Sequence, residues 1–256
     1  MRILLPPSEG KRPGGRGKSL AARAGTTPID QVRAQTLAAL ADLVERPDAA
    51  EKLLLPASVA AQALLDNRRV MSAGTLPAVE RYAGVVYDGL AIDSMSDGAR
   101  RRASRVLLIF SGLFGVLRGG DPVPNYRVPA KAVLPGIGVA GTFWRRRLDV
   151  LVPDLLDRGP ILDLRSSDYA AMWQPARGSA AAAQLINVRI LSATPSGRLA
   201  VVSYNSKLAK GKLAAAVLEA EAAGHRIGGP ADIATLWSEL GGRSATVDGS
   251  NLELVE

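Results

Sequence analysis

The chain has 256 residues, 47% of them hydrophobic, with 32 basic against 24 acidic side chains, a balance that excludes disorder for the bulk of it and allows a full hydrophobic core. It has no cysteine and a single histidine, His225, which excludes disulfides, thiolate nucleophiles and Cys- or His-rich metal sites and points to a reducing, cytoplasmic setting. The net charge of +8 favours a polyanionic partner, and because 25 of the 32 basic residues are Arg, whose fork matches phosphate, the excess suits phosphate binding as well as a GC-rich coding bias.

Residues 2 to 5 read as a short buried strand, followed by Pro6-Pro7-Ser8-Glu9-Gly10-Lys11 and a Gly/Pro-rich basic loop over residues 10 to 18, of the kind that orders on a ligand. Apolar spacing predicts an amphipathic helix over residues 28 to 43 and a second over 58 to 65. A short helix over 77 to 82 runs into a turn-bearing segment, and Ser96 caps a helix over 96 to 103. Residues 106 to 110 form an unbroken apolar run that fits a central strand, and the Gly/Pro-rich segment from Ser111 to Arg127 is expected to be loop.

Further strands are predicted over 161 to 164, 186 to 191 and 199 to 203, with helices over 206 to 223 and 230 to 240, the last with Pro at its first turn. This alternation, without a repeat or linker, predicts a single α/β domain over residues 1 to 256, with a central mixed sheet flanked by helices. No segment approaches the length of a membrane span, so a membrane is excluded as a partner.

Polar clusters stand just beyond three strands: Ser8, Glu9 and Lys11; Ser111 and Gly112; and Ser203 to Lys207, with Tyr204 among them. In open α/β sheets ligands bind beyond the carboxyl ends of strands, so these clusters form a candidate pocket with Tyr87, Asp88 and Tyr126. Lys207, Lys210 and Lys212 crowd the start of a helix, where they and the backbone donors would attract phosphate. Gly10-Lys11 lacks the phosphate-loop signature, so nucleotide hydrolysis is not indicated. The run from Leu134 to Gly141, with Gly136 and Gly138, resembles the hairpin of helix-hairpin-helix DNA-binding motifs and leads into Arg145-Arg146-Arg147.

Five segments in register resemble the YaaA peroxide-stress family: Leu5-Pro-Pro-Ser-Glu-Gly-Lys11, Arg81-Tyr-Ala-Gly-Val-Val-Tyr-Asp-Gly-Leu90, Phe110-Ser-Gly-Leu-Phe-Gly-Val-Leu-Arg118 running on to Tyr126-Arg127, Leu162-Asp-Leu-Arg-Ser-Ser-Asp-Tyr169, and Ser203-Tyr-Asn-Ser-Lys207 with Gly211. The resemblance implies an α/β domain of unusual topology, a cytoplasmic bacterial protein that binds double-stranded DNA, and a role in limiting damage when peroxide meets iron. The chain departs from many members at Ser8-Glu9-Gly10, and at Asp88, where Thr is common.

Two functions follow. In the first, a DNA-binding protein, in all expectation a monomer without cofactor or metal, contacts phosphate through Lys11, Arg118, Arg127, Gly136, Gly138, Arg145 to Arg147, Lys207, Lys210 and Lys212. In the second, an enzyme acts on a nucleotide, nucleobase or damaged DNA, or on another phosphate-bearing small molecule. There Lys207 serves as Schiff-base or charge-stabilising group, Lys11 is the alternative amine, and Ser8, Tyr87, Ser111 and Tyr204 line the pocket. Lys207 is expected at the first helical turn, partly buried and aimed at Ser8 and Lys11. Convergence of Lys11, Tyr87, Arg118 and Lys207 on one pocket would favour catalysis.

Overall fold

The computed structural model describes residues 1–23, 25–156, 159–194 and 198–256. At its centre lies β1 (Arg2–Leu5), where Ile3, Leu4 and Leu5 are completely buried. An apolar run with no alternation suits a strand covered on both faces, as parallel sheets require. β1 pairs in parallel with β2 (Leu107–Ser111) on one side and with β4 (Ile161–Asp163) on the other. The sheet extends from β2 to the antiparallel edge strand β3 (Gly115–Arg118), and from β4 through β5 (Leu185–Ala193) to the C-terminal hairpin of β7 (Ser244–Asp248) and β8 (Asn251–Val255). Its order is β7-β8-β5-β4-β1-β2-β3, with the two-residue β6 (Leu199–Ala200) attached to β5.

The two-residue period of the strands sorts their side chains into two cores. Ile3, Leu5, Leu107 and Ile109 face one layer, and Leu4, Leu108 and Phe110 face the other. Six helices position the rest: α1 (Pro28–Leu43), α2 (Ala57–Arg68), α3 (Val85–Leu90), α4 (Asp97–Val106), α5 (Ala140–Leu151) and α6 (Ser203–Ala222). α1 opens on a capping box, Thr27 with Asp30, and Pro28 in its first turn. α3, α4 and α6 pack together on the first layer, and Phe143, Trp144 and Leu148 of α5 fill the second. The last helix, α7, covers Pro230–Glu239. Among the described residues no helix is long and apolar enough to cross a membrane.

Three expectations change. The segment 111 to 127 is not all loop: Gly115, at φ +71°, reverses the chain so that β3 returns along β2, and the Trp144 ring lies where a Gly115 side chain would be. The strand expected over 199 to 203 ends at Ala200, because α6 starts at Ser203 rather than 206. The third departure is the C-terminal hairpin of β7 and β8, which lies beyond the last predicted element.

Candidate active site at the carboxyl ends of the strands

The chain leaves β1 through Pro6, whose carbonyl accepts a hydrogen bond of 2.9 Å from the buried Tyr87 hydroxyl of α3. The loop that follows is not free. Lys11 pairs with Tyr82 and Gly17 with Thr75 in isolated antiparallel bridges. Arg81, fully buried, donates to the carbonyls of Val123 (2.9 Å), Gly14 (2.7 Å), Gly74 (3.1 Å) and Arg12. One guanidinium therefore ties down the loop that sequence reading expected to order on a ligand. Gly84, at φ +121°, leaves room for Ser8, whose Oγ would lie 2.7 Å from a side chain there.

Lys11 Nζ donates to the Ser8 carbonyl at 3.0 Å and lies over two aromatic rings, 4.2 Å from the Tyr126 centroid and 5.3 Å from that of Tyr82. Burial lowers its pKa to about 7; Arg127 and Arg81 push the same way, against Glu9 and Asp66. Beneath it lies a cluster of three hydroxyls, those of Ser111, Tyr126 and Tyr82. Ser111 Oγ accepts from the amides of Leu113 (3.2 Å) and Phe114 (3.1 Å), which occupies its lone pairs. Ser111 Oγ also shares a hydrogen bond of 2.6 Å with Tyr126 Oη, which shares one of 2.7 Å with Tyr82 Oη. Burial holds Tyr126 well above its usual pKa and pushes Tyr82 up to about 12, so both stay protonated donors at neutral pH.

Glu9 and Arg127 close the rim with an ion pair of 3.1 Å, and Asn67 fixes the Arg127 backbone by exchanging hydrogen bonds of 2.8 and 3.0 Å with it. At the end of β4, Arg165 forms a buried pair with Asp163 (2.6 Å) and stacks 4.3 Å over Phe110. Lys210 of α6 donates to the Arg165 carbonyl at 3.1 Å, and burial lowers its pKa against the pull of Asp163.

The structure thus brings Ser8, Glu9, Lys11, Tyr87, Ser111, Tyr126 and Arg127 to one end of the sheet, and leaves others out. Arg118 sits opposite Leu108, at the amino end of the parallel strands, where its guanidinium reaches the Arg105 carbonyl; β3 runs antiparallel and carries it away. Lys207 lies in the second turn of α6 and is exposed, because that helix begins three residues earlier than its sequence suggested. Its expected burial beside Lys11 is therefore corrected. Tyr204 is 62% exposed, Lys212 and Asp88 are also exposed, and Gly112 packs against the carbonyls of Val128 and Pro129. Sequence reasoning missed Tyr82 and Arg81, although both stand in the segment beginning at Arg81 that carried the resemblance.

From Tyr126 and Arg127 the chain continues into a small hairpin in which Val133–Leu134 pairs with Gly138–Val139. Gly136 (φ +67°) and Gly138 (φ +78°) are exposed, and nothing lies within 4 Å of where a side chain would be. α5 starts directly afterwards, with Arg145 and Arg146 exposed. Arg147 is engaged, lying 3.6 Å over the Phe143 ring and donating to the Phe143 carbonyl at 2.9 Å. No helix leads into the hairpin between Tyr126 and Ala132; instead α1 packs beside it.

These features define a mixed α/β protein with a lysine–tyrosine site beyond its parallel strands and a backbone-exposing hairpin beside it. A family model described as peroxide stress protein YaaA matches residues 1–229, and the chain belongs to that family. It is similar to a UPF0246 protein of Streptomyces coelicolor, 39% identical over 246 residues, covering 94% of this chain and 90% of that one. Similar proteins of the same designation occur in Corynebacterium efficiens (36% over 237 residues, 91% of each chain) and Corynebacterium glutamicum (32% over 227 residues, 88% of each).

Proposed function

We propose that this protein is a cytoplasmic, monomeric binder of double-stranded DNA that limits peroxide damage. The observation that carries the reading is the hairpin: exposed backbone at Gly136 and Gly138, in conformations that favour glycine, followed at once by two free-standing arginines, Arg145 and Arg146. Backbone amides and arginine forks are the groups that hold phosphates without reading bases. The net charge of +8 supplies the long-range attraction. Membership in a family described by peroxide stress supplies the setting. With no cysteine in the chain, protection by thiol oxidation is excluded, and shielding or handling of DNA remains.

The test is duplex binding by fluorescence anisotropy across a salt series. With three or more phosphates engaged, affinity falls by more than ~10-fold between 50 and 200 mM salt. Replacing Arg145 and Arg146 by Ala lowers the log–log salt slope by about 2 and weakens all sequences alike. Arg147→Ala, which removes a guanidinium already spent on Phe143, leaves the slope unchanged. A flat salt profile, or loss confined to one sequence, contradicts the reading.

A second reading, an enzyme acting on a nucleotide, nucleobase or damaged DNA, is favoured by one observation: a half-buried lysine whose amine is set against two tyrosines at the strand ends. In this reading the reactive amine is Lys11, not Lys207.

A further inference from the structure

Among the described residues Lys11 is the lysine whose amine lies over aromatic rings. No carboxylate holds it among the described residues, since Glu9, the adjacent acid, is paired with Arg127. Its one hydrogen bond goes to a backbone carbonyl, and two aromatic rings form its floor. The neutral form is therefore abundant near pH 7, with a free lone pair on Nζ. Glu9 and Gly10, which precede Lys11 in the chain, are exposed. Tyr82 closes the floor, and its hydroxyl, held protonated by burial, shares a hydrogen bond of 2.7 Å with Tyr126. Such a donor is placed to hydrogen-bond an oxygen brought to Lys11.

We infer that Lys11 is an amine nucleophile toward aldehydes, with Tyr82 as the proton donor to the carbonyl oxygen. The neutral Nζ attacks the carbonyl carbon, and the C=O π pair moves to oxygen, which takes a proton from the Tyr82 hydroxyl. Nitrogen then gives up a proton that restores Tyr82. The resulting carbinolamine loses its hydroxyl, protonated again through Tyr82, as water, the nitrogen lone pair forms the C=N bond between Lys11 and the former aldehyde carbon, and the remaining N–H proton passes back to Tyr82. No oxidant or reductant is consumed. The ligand class is an aldehydic sugar fragment, whose source is either an abasic deoxyribose in duplex DNA or a free hydroxyaldehyde. This deepens the enzymatic reading and rests on the Lys11 site, not on the hairpin.

The experiment is borohydride trapping on the full chain, with a duplex carrying one abasic site, with glycolaldehyde, and with intact duplex as blank, followed by peptide mapping by mass spectrometry. Hydride reduces the imine to a stable secondary amine. The expected result is an adduct on the peptide containing Lys11, formed faster as pH rises through about 7. Reaction with only one aldehyde, or faster with one, identifies the source. Lys11→Arg loses the adduct, whereas Lys207→Arg retains it. Tyr82→Phe slows adduct formation without moving it to another lysine. If Lys11→Arg does not fold by circular dichroism, the wild-type map at pH 6 and pH 8 decides alone. An adduct on another lysine, equal yield in folded Lys11→Arg, or no adduct with either aldehyde overturns the proposal. Because duplex affinity is read separately, failure of the adduct is distinguishable from failure of DNA binding.

Discussion

Lys11 is held by a carbonyl and two rings instead of a carboxylate, and that choice of partners is written into the pH dependence of the whole fold. Its folded pKa of about 7 lies below the ordinary 10.5, so between those values the unfolded chain binds more protons than the folded one. Stability therefore rises with pH across that window, the penalty of charging a buried amine being fully present below it. Tyr82 acts in the opposite sense above its ordinary value of 10.0, since its folded pKa of about 12 means the unfolded chain loses the proton first. Urea unfolding from pH 6 to 11 should show stability climbing from pH 7 and turning down above pH 10. Lys11→Met should reduce the climb to the part that Lys210 contributes and leave the downturn; a climb undiminished in Lys11→Met contradicts the assignment. At this scale the sequence was partly legible. Ser8, Lys11, Ser111 and Tyr126 stand next to apolar strand runs or Gly/Pro breaks, and such positions can be read. Lys207 could not be placed, because its exposure depends on where α6 starts, a matter of three residues. Arg118 could not be placed either, because a hairpin decides which end of the sheet it occupies.

At the scale of elements, α3 and α6 approach through two glycines. A side chain on Gly211 would overlap the Val86 carbonyl oxygen, and one on Gly89 the Leu208 carbonyl oxygen. This contact fixes α6 against the helix that carries Tyr87, and so steadies the Pro6 carbonyl that Tyr87 holds. Neither glycine is required by φ, since neither lies in the left-handed region. An isolated helix would gain up to ~1 kcal/mol from Gly→Ala. Overpacking against a backbone costs about 1–3 kcal/mol, so the net effect of Gly211→Ala is destabilising. A thermal melt should show a midpoint lowered by roughly 2–10 °C. A raised midpoint would mean that the crossing is loose. The long helices and the apolar strands were legible because their periodicity is local. β3 was not, since Gly112, Gly115, Gly119 and Gly120 read as loop until the packing of Trp144 on Gly115 is known. The last hairpin left one usable signal, Asp248-Gly249 between alternating residues, with Gly249 at φ +57°.

Across the whole molecule, positive charge gathers at two places with different chemistry. At the carboxyl ends of the strands, exposed Gly136 and Gly138 and the arginines of α5 adjoin the lysine–tyrosine site through the segment from Tyr126 to Lys131, whose ammonium pairs with Asp168 at 2.9 Å. At the amino ends, Arg2 and Arg118 both reach the Arg105 carbonyl, and Arg102 pairs with Glu221. Net charge alone would let DNA sit on either face. The proposed reading puts it on the first, where Gly136 and Gly138, with nothing within 4 Å of a side-chain position, precede the exposed Arg145 and Arg146. Hydrogen–deuterium exchange of the chain with and without an undamaged duplex at low salt separates the two most directly. The account predicts added protection over residues 133–147, with none over residues 97–106 and 115–118. Protection of the amino-end face with the hairpin unchanged would contradict it.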